Sequence, residues 1–93
     1  MKLSIYTMRR TVYEGETSRV TLPTQVGEVT ILDNHEPYVT ILEKGNLRYE
    51  VPVTAELPSG EKGATRKEER ALPINGGFLE GREGNELRIL ADE

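Results

Sequence analysis

Apolar residues in this chain recur at every second position, in short bursts separated by turn formers, and nowhere make a helical stripe. Leu3 and Ile5 alternate with Lys2, Ser4 and Tyr6, Val20 and Leu22 with Arg19 and Thr21, and Val29 and Ile31 with Glu28 and Thr30. Further bursts are Val39-Thr40-Ile41, Leu47-Arg48-Tyr49-Glu50-Val51 and Leu87-Arg88-Ile89-Leu90. A strand sends successive side chains to opposite faces, so this spacing makes one face apolar and the other wet. Turn signals fall between the bursts at Glu14-Gly15-Glu16, at Pro23 to Gly27, at Asp33-Asn34, at Lys44-Gly45-Asn46, at Asn75-Gly76-Gly77 and at Glu83-Gly84-Asn85. The pattern predicts an all-β chain folded as an antiparallel β-sandwich of about 8–10 short strands.

Nothing competes with that reading. The best helical candidate, Ala64 to Leu72, has only Ala64, Ala71 and Leu72 as apolar positions, too few to present a continuous stripe to a core. From Pro58 to Glu69 there is no large apolar residue, which predicts a long, exposed polar hairpin loop over about 58–69. Pro52 and Pro73 lack the N–H that a ladder requires, so they mark edge or interrupted strands. With no repeat and no linker, residues 1–93 read as a single domain.

Composition narrows the functions open to such a domain. There is no Cys, which removes disulfides, thiolate metal sites and thiol nucleophiles. No apolar run approaches the roughly 18–20 residues of a membrane-spanning helix. The first eleven residues lack the apolar stretch of a secretory leader, so a cytosolic setting is expected. Sixteen acidic against twelve basic residues argue against a module that binds nucleic acid by neutralising phosphates. The charge is also divided. Residues 1–27 hold four bases and two acids, and residues 28–93 hold eight bases and fourteen acids, as expected of differently charged surfaces.

Catalytic patterns are lacking. Gly60-Glu61-Lys62-Gly63 has neither the Gly-Lys-Ser/Thr ending nor the strand-to-helix context of a phosphate loop. The single His35 lies in Asp33-Asn34-His35-Glu36-Pro37; its structural reading is a loop residue packing the turn, and its chemical reading an acid/base pair with Glu36. No catalytic residue, metal or cofactor is assigned. The residues describe a β module acting through its surfaces. As a free-standing ligand- or protein-binding module, it would have to use Tyr6, Tyr13, Tyr38 and Tyr49 as its aromatic platform.

Read in order, these stretches resemble the N-terminal domain of the epsilon subunit of F-type rotary ATP synthases. The resemblance is carried by Lys2 to Thr7, and by Val12-Tyr13-Glu14-Gly15-Glu16 leading to Val20-Thr21-Leu22-Pro23. It continues through Gly27-Glu28-Val29-Thr30-Ile31-Leu32 with His35, Pro37, Leu42, Gly45 and Leu47-Arg48, then Asn75 to Glu80, then Leu87 to Asp92. It implies a ten-stranded sandwich at the foot of the central stalk, bound to the gamma subunit and resting on the c-ring. Such a subunit is non-catalytic and helps couple proton or other ion translocation to ATP synthesis. Its contact with the membrane is only indirect, through the c-ring, on the cytoplasmic face of the cell membrane.

Carried onto this sequence, the c-ring-facing surface is Glu28 with the turn Asp33, Asn34, His35, Glu36 and Pro37. The resemblance also gives structural roles to Gly27 and Gly45, expected in turns of positive φ, and to Gly76 and Gly77. These last two precede Phe78, the sole Phe, expected to turn inward and anchor the core. The chain departs from the family at Asp33-Asn34, where the pattern has Pro-Gly, at Thr30 in place of Gly and at Glu36 in place of Ala. Its Val51–Pro73 segment is longer and more polar, and it stops at Glu93, where the family continues into an inhibitory helical hairpin. The expectation is a coupling subunit without that brake.

Overall fold

Every burst of alternation becomes a strand in the computed structural model, which describes all 93 residues. The nine strands are β1 (Lys2–Tyr6), β2 (Thr11–Glu16), β3 (Arg19–Thr24), β4 (Gly27–Leu32), β5 (Tyr38–Leu42), β6 (Gly45–Glu56), β7 (Lys62–Ile74), β8 (Gly76–Arg82) and β9 (Glu86–Asp92). They form one sheet in the order β2-β1-β9-β8-β5-β3-β6-β7, with β4 on the remaining edge of β3. The sheet rolls over where β5 meets β3 through the single pair Thr24–Leu42. One layer is then β2-β1-β9-β8-β5, the other β4-β3-β6-β7. No helix is long and apolar enough to cross a membrane.

Period-two alternation supplies both inner faces. Leu3, Ile5, Leu79, Leu87 and Ile89 come from the first layer; Val20, Leu22, Leu47, Tyr49 and Val51 come from the second, and all are buried. Each such aliphatic side chain contributes about 1.5–3 kcal/mol by leaving water. Tyr13 of β2 packs on Tyr49 of β6, with ring centroids 5.3 Å apart, and so closes the roll from one layer to the other.

The fold departs from the sequence reading in four main places, and in addition Glu14-Gly15-Glu16, expected as a turn, is the end of strand β2, paired with β1. The sandwich is mixed rather than wholly antiparallel, because β1 and β9 pair in parallel, Leu3 against Leu87 and Ile5 against Ile89. The two strands lie far apart in sequence and are joined by the whole intervening chain, so no hairpin constrains their direction.

Second, the polar segment over 58–69 is mostly strand. β6 and β7 pair from Gly45–Ile74 out to Glu56–Lys62, leaving only residues 57–61 as the turn. Backbone pairing and a Thr54–Thr65 hydroxyl contact at 3.1 Å sustain a ribbon that buries little apolar surface. Apolar spacing is blind to a strand of this kind. The prolines sit as expected: Pro73 is on the edge strand β7, and Pro52 lies beyond the stretch of β6 that β3 reaches.

Third, Phe78 does not anchor the core. It is 43% exposed, whereas its neighbour Leu79 is fully buried. Register decides this: Leu79 stands opposite Ile89 on the inner face, and Phe78 opposite Leu90 on the outer one. Fourth, Gly27 has the expected positive φ of 105°, but Gly45 does not. Gly45 answers a steric demand instead, since a Cβ there would lie 3.0 Å from Cβ of Pro23. Gly77 meets both demands: its φ is 150°, and a Cβ would come within 2.5 Å of the Leu90 carbonyl oxygen.

These contacts set the stability of variants in equilibrium denaturation. Leu79→Ala is expected to cost about 2–5 kcal/mol, and Phe78→Ala no more than about 1 kcal/mol. The reverse order would place Phe78 back in the core. Gly77→Ala is expected to cost at least about 2 kcal/mol, because the sheet must open to admit the methyl group.

Candidate functional site

The residues assigned to the ring-facing surface fall at the two ends of β4. Glu28 is the second residue of that strand, and the Asp33–Pro37 loop begins after its last residue, Leu32. At about 3.3 Å per residue the two lie roughly 16 Å apart along the chain. The structure therefore does not gather them into one cluster. It spreads them along a single edge of the sandwich, where β4 of one layer and β5 of the other stand apart.

Between them runs an open groove of about 520 Å³, lined among others by Val29, Ile31, Leu32, His35, Glu36 and Tyr38. Glu28 is held at one end by Arg48 of β6, whose guanidinium donates to its carboxylate at 2.8 Å. Both side chains remain largely exposed, so this pair orients the carboxylate more than it stabilises the fold.

The loop at the other end is built by local hydrogen bonding. Asn34 has φ 61°, a left-handed conformation that Asn tolerates, which accounts for Asn where the resembling family has Gly. Its backbone N–H donates to Oδ1 of Asn85 at 2.7 Å. Asp33 accepts at 2.5 Å from the Met1 ammonium, which also donates to the Thr17 carbonyl at 2.9 Å. The His35 ring lies over Gly81 of β8, so closely that a Cβ on that glycine would sit 3.3 Å from Cε1 and Nδ1. His35 Nδ1 donates to the backbone carbonyl of Glu36 at 3.2 Å, and Nε2 is buried without a protein partner.

His35 is thus seated as a packing residue. The acid/base pairing with Glu36 is not formed, because the imidazole meets that residue's main chain and not its carboxylate. The tyrosines offer no platform either: Tyr49 is in the core, Tyr13 and Tyr38 pack against it, and Tyr6 donates to Glu14 at 2.5 Å.

A second surface escaped the sequence reading. Ile41, Phe78 and Leu90 stand opposite one another across β5, β8 and β9, all on the outer face and all substantially exposed. Exposed Val39 extends this row along β5, and exposed Val26 approaches it from the β3–β4 turn. The outer face of the other layer is polar, with Arg19 paired to Glu50, Arg48 to Glu28, and Thr21 facing Thr30. Only the strand register shows the row, since its three members are far apart in sequence.

The Asp33 carboxyl is held below the usual carboxylate range, first by the hydrogen bond from the Met1 ammonium and then by that group's charge. A depressed folded-state value means that the contact contributes fully above the ordinary aspartate titration near pH 3.9 and is lost as pH falls through the lower value. A carboxyl ¹³C titration should therefore place the Asp33 midpoint below that of an unstructured peptide of the same sequence. Equal midpoints would show that the ammonium does not hold Asp33 in solution.

Comparison with known proteins agrees with this architecture. Residues 1–93 match the family described as ATP synthase, Delta/Epsilon chain, beta-sandwich domain. The chain is 30% identical over 93 residues to the chloroplastic ATP synthase epsilon chain of Chlamydomonas reinhardtii, covering all of this chain and 60% of that protein. It is 35% identical over 92 residues to the ATP synthase epsilon chain of Carboxydothermus hydrogenoformans, covering 99% of this chain and 58% of that protein. It therefore spans a little over half the length of these curated relatives. Among solved structures, a chain of the central stalk/c-ring of the Tetrahymena thermophila mitochondrial ATP synthase superposes with a TM-score of 0.76 at 16% identity. That likeness covers 99% of this chain and 63% of the other, and it bears on the fold alone. With the family matched from the first residue to the last, this chain belongs to the β-sandwich domains of the ATP synthase delta/epsilon chains.

Proposed function

We propose that this domain is the non-catalytic sandwich of a central-stalk epsilon subunit in an F-type ATP synthase. It binds the gamma subunit with one surface and the c-ring with another, and so helps couple ion translocation to ATP synthesis. The observation that carries this reading is the exposed Ile41–Phe78–Leu90 row, an apolar strip of a kind that marks a protein–protein contact. We assign it to gamma. At the two ends of β4, Glu28 and the Asp33–Pro37 loop present charged and polar groups, which meet the polar loops of the c-ring through charge-assisted hydrogen bonds. The domain then touches the membrane only through that ring, on its cytoplasmic face. Membership of an ATP synthase is also what relatives bearing the epsilon-chain name support.

Co-expression with the gamma subunit of the same organism tests the assignment. The wild-type chain should co-elute with gamma on size exclusion at micromolar concentration, and Phe78→Glu should separate the two while remaining folded, with a cooperative melting transition. Independent elution of the wild type would remove the assembly, and co-elution of Phe78→Glu would remove the assigned face. Glu28→Gln should keep stability within about 1 kcal/mol, since its ion pair is exposed. In the assembled complex it should lower proton pumping per ATP hydrolysed, and unaltered pumping would exclude Glu28 from the ring contact.

A further inference from the structure

The loop assigned to the c-ring is gripped from an element outside it, the turn between β8 and β9. Asn85 in that turn has φ 57° and uses its whole amide group. Oδ1 accepts from the Asn34 N–H at 2.7 Å, and Nδ2 lies 3.5 Å from Oδ1 of Asp33. Its backbone carbonyl accepts from the Lys2 N–H at 3.0 Å, tying the turn to the start of β1. One side chain therefore holds the two residues immediately before His35.

The residue type is specified twice over. The left-handed backbone favours Gly or Asn, and of those two only Asn brings an acceptor and a donor on one planar group. Aspartate would keep the acceptor while setting a second carboxylate beside Asp33. Gly would keep the turn and lose both bonds. The loop itself is short and exposed, and the Asn34 amide lies beyond the end of the β4 ladder, with Asn85 Oδ1 as its partner. Without Asn85, that amide would bond to water and the loop would lose its tie to β8 and β9.

We infer that Asn85 is a positioning residue for docking: it fixes the orientation in which Asp33 to Pro37 meet the polar loops of the c-ring. The inference rests on the proposed ring contact of that loop. It assigns a role to a residue on another turn, 51 positions away in sequence from the amide it holds.

The test uses the full-length subunit added back to ATP synthase membranes of its own organism from which that subunit has been removed. Asn85→Gly should still fold, with a cooperative melting transition, lose exchange protection at the Asn34 amide, and dock about 3–10-fold more weakly, the range for one or two hydrogen bonds. Asn85→Asp, which keeps the acceptor, should retain the Asn34 protection and dock with intermediate affinity. Full docking by Asn85→Gly would overturn the positioning role. Unchanged Asn34 protection in that variant would overturn the hydrogen bond itself. Failure of the wild type to dock would instead overturn the ring contact, and the inference with it, while the exchange data still report on the anchor.

Discussion

A single sheet with one apolar face must cover that face with itself, and the rest of this structure follows from how it does so. The roll turns about a thin junction, one residue pair between β3 and β5, and closes where Tyr13 meets Tyr49. Rolling buries the inner rows of both layers at about 25 cal/mol per Å² of apolar surface removed from water. It also leaves one side of the sandwich unclosed. β4 and β5 end up as facing edges with a groove between them, and the segment crossing that side is the Asp33–Pro37 loop.

The two outer faces are free of that constraint and have diverged. One carries cross-strand ion pairs and threonine contacts, which contribute little to stability when exposed. Their value lies in holding charged groups in fixed directions. The other carries the Ile41–Phe78–Leu90 row, which the core does not need. Apolar surface kept in water is unfavourable for the isolated domain and favourable once a partner covers it, so this face suits a component of an assembly.

How legible all this is in the sequence depends on local redundancy. β3 and β6 alternate apolar with polar positions without ambiguity, and their large buried apolar residues are the ones alternation marks. At Phe78-Leu79 two large apolar residues stand side by side, so alternation is satisfied by either parity. A shift of one residue exchanges the faces of a strand, and only the partner strand chooses between them. β7 is illegible for another reason: its outer half is held by backbone pairing to β6, which leaves no apolar period.

Sequence alone determined the β-sandwich, most of its turns, the lack of a helical stripe and, through ordered local motifs, the family, because each is written in residues close together along the chain. Tertiary structure decided the rest. The parallel β1–β9 pairing, the outward turn of Phe78, the apolar row across three strands and the grip of Asn85 on the loop all join residues far apart in sequence. Such contacts arise only from the register and closure of the rolled sheet, and no local pattern encodes them.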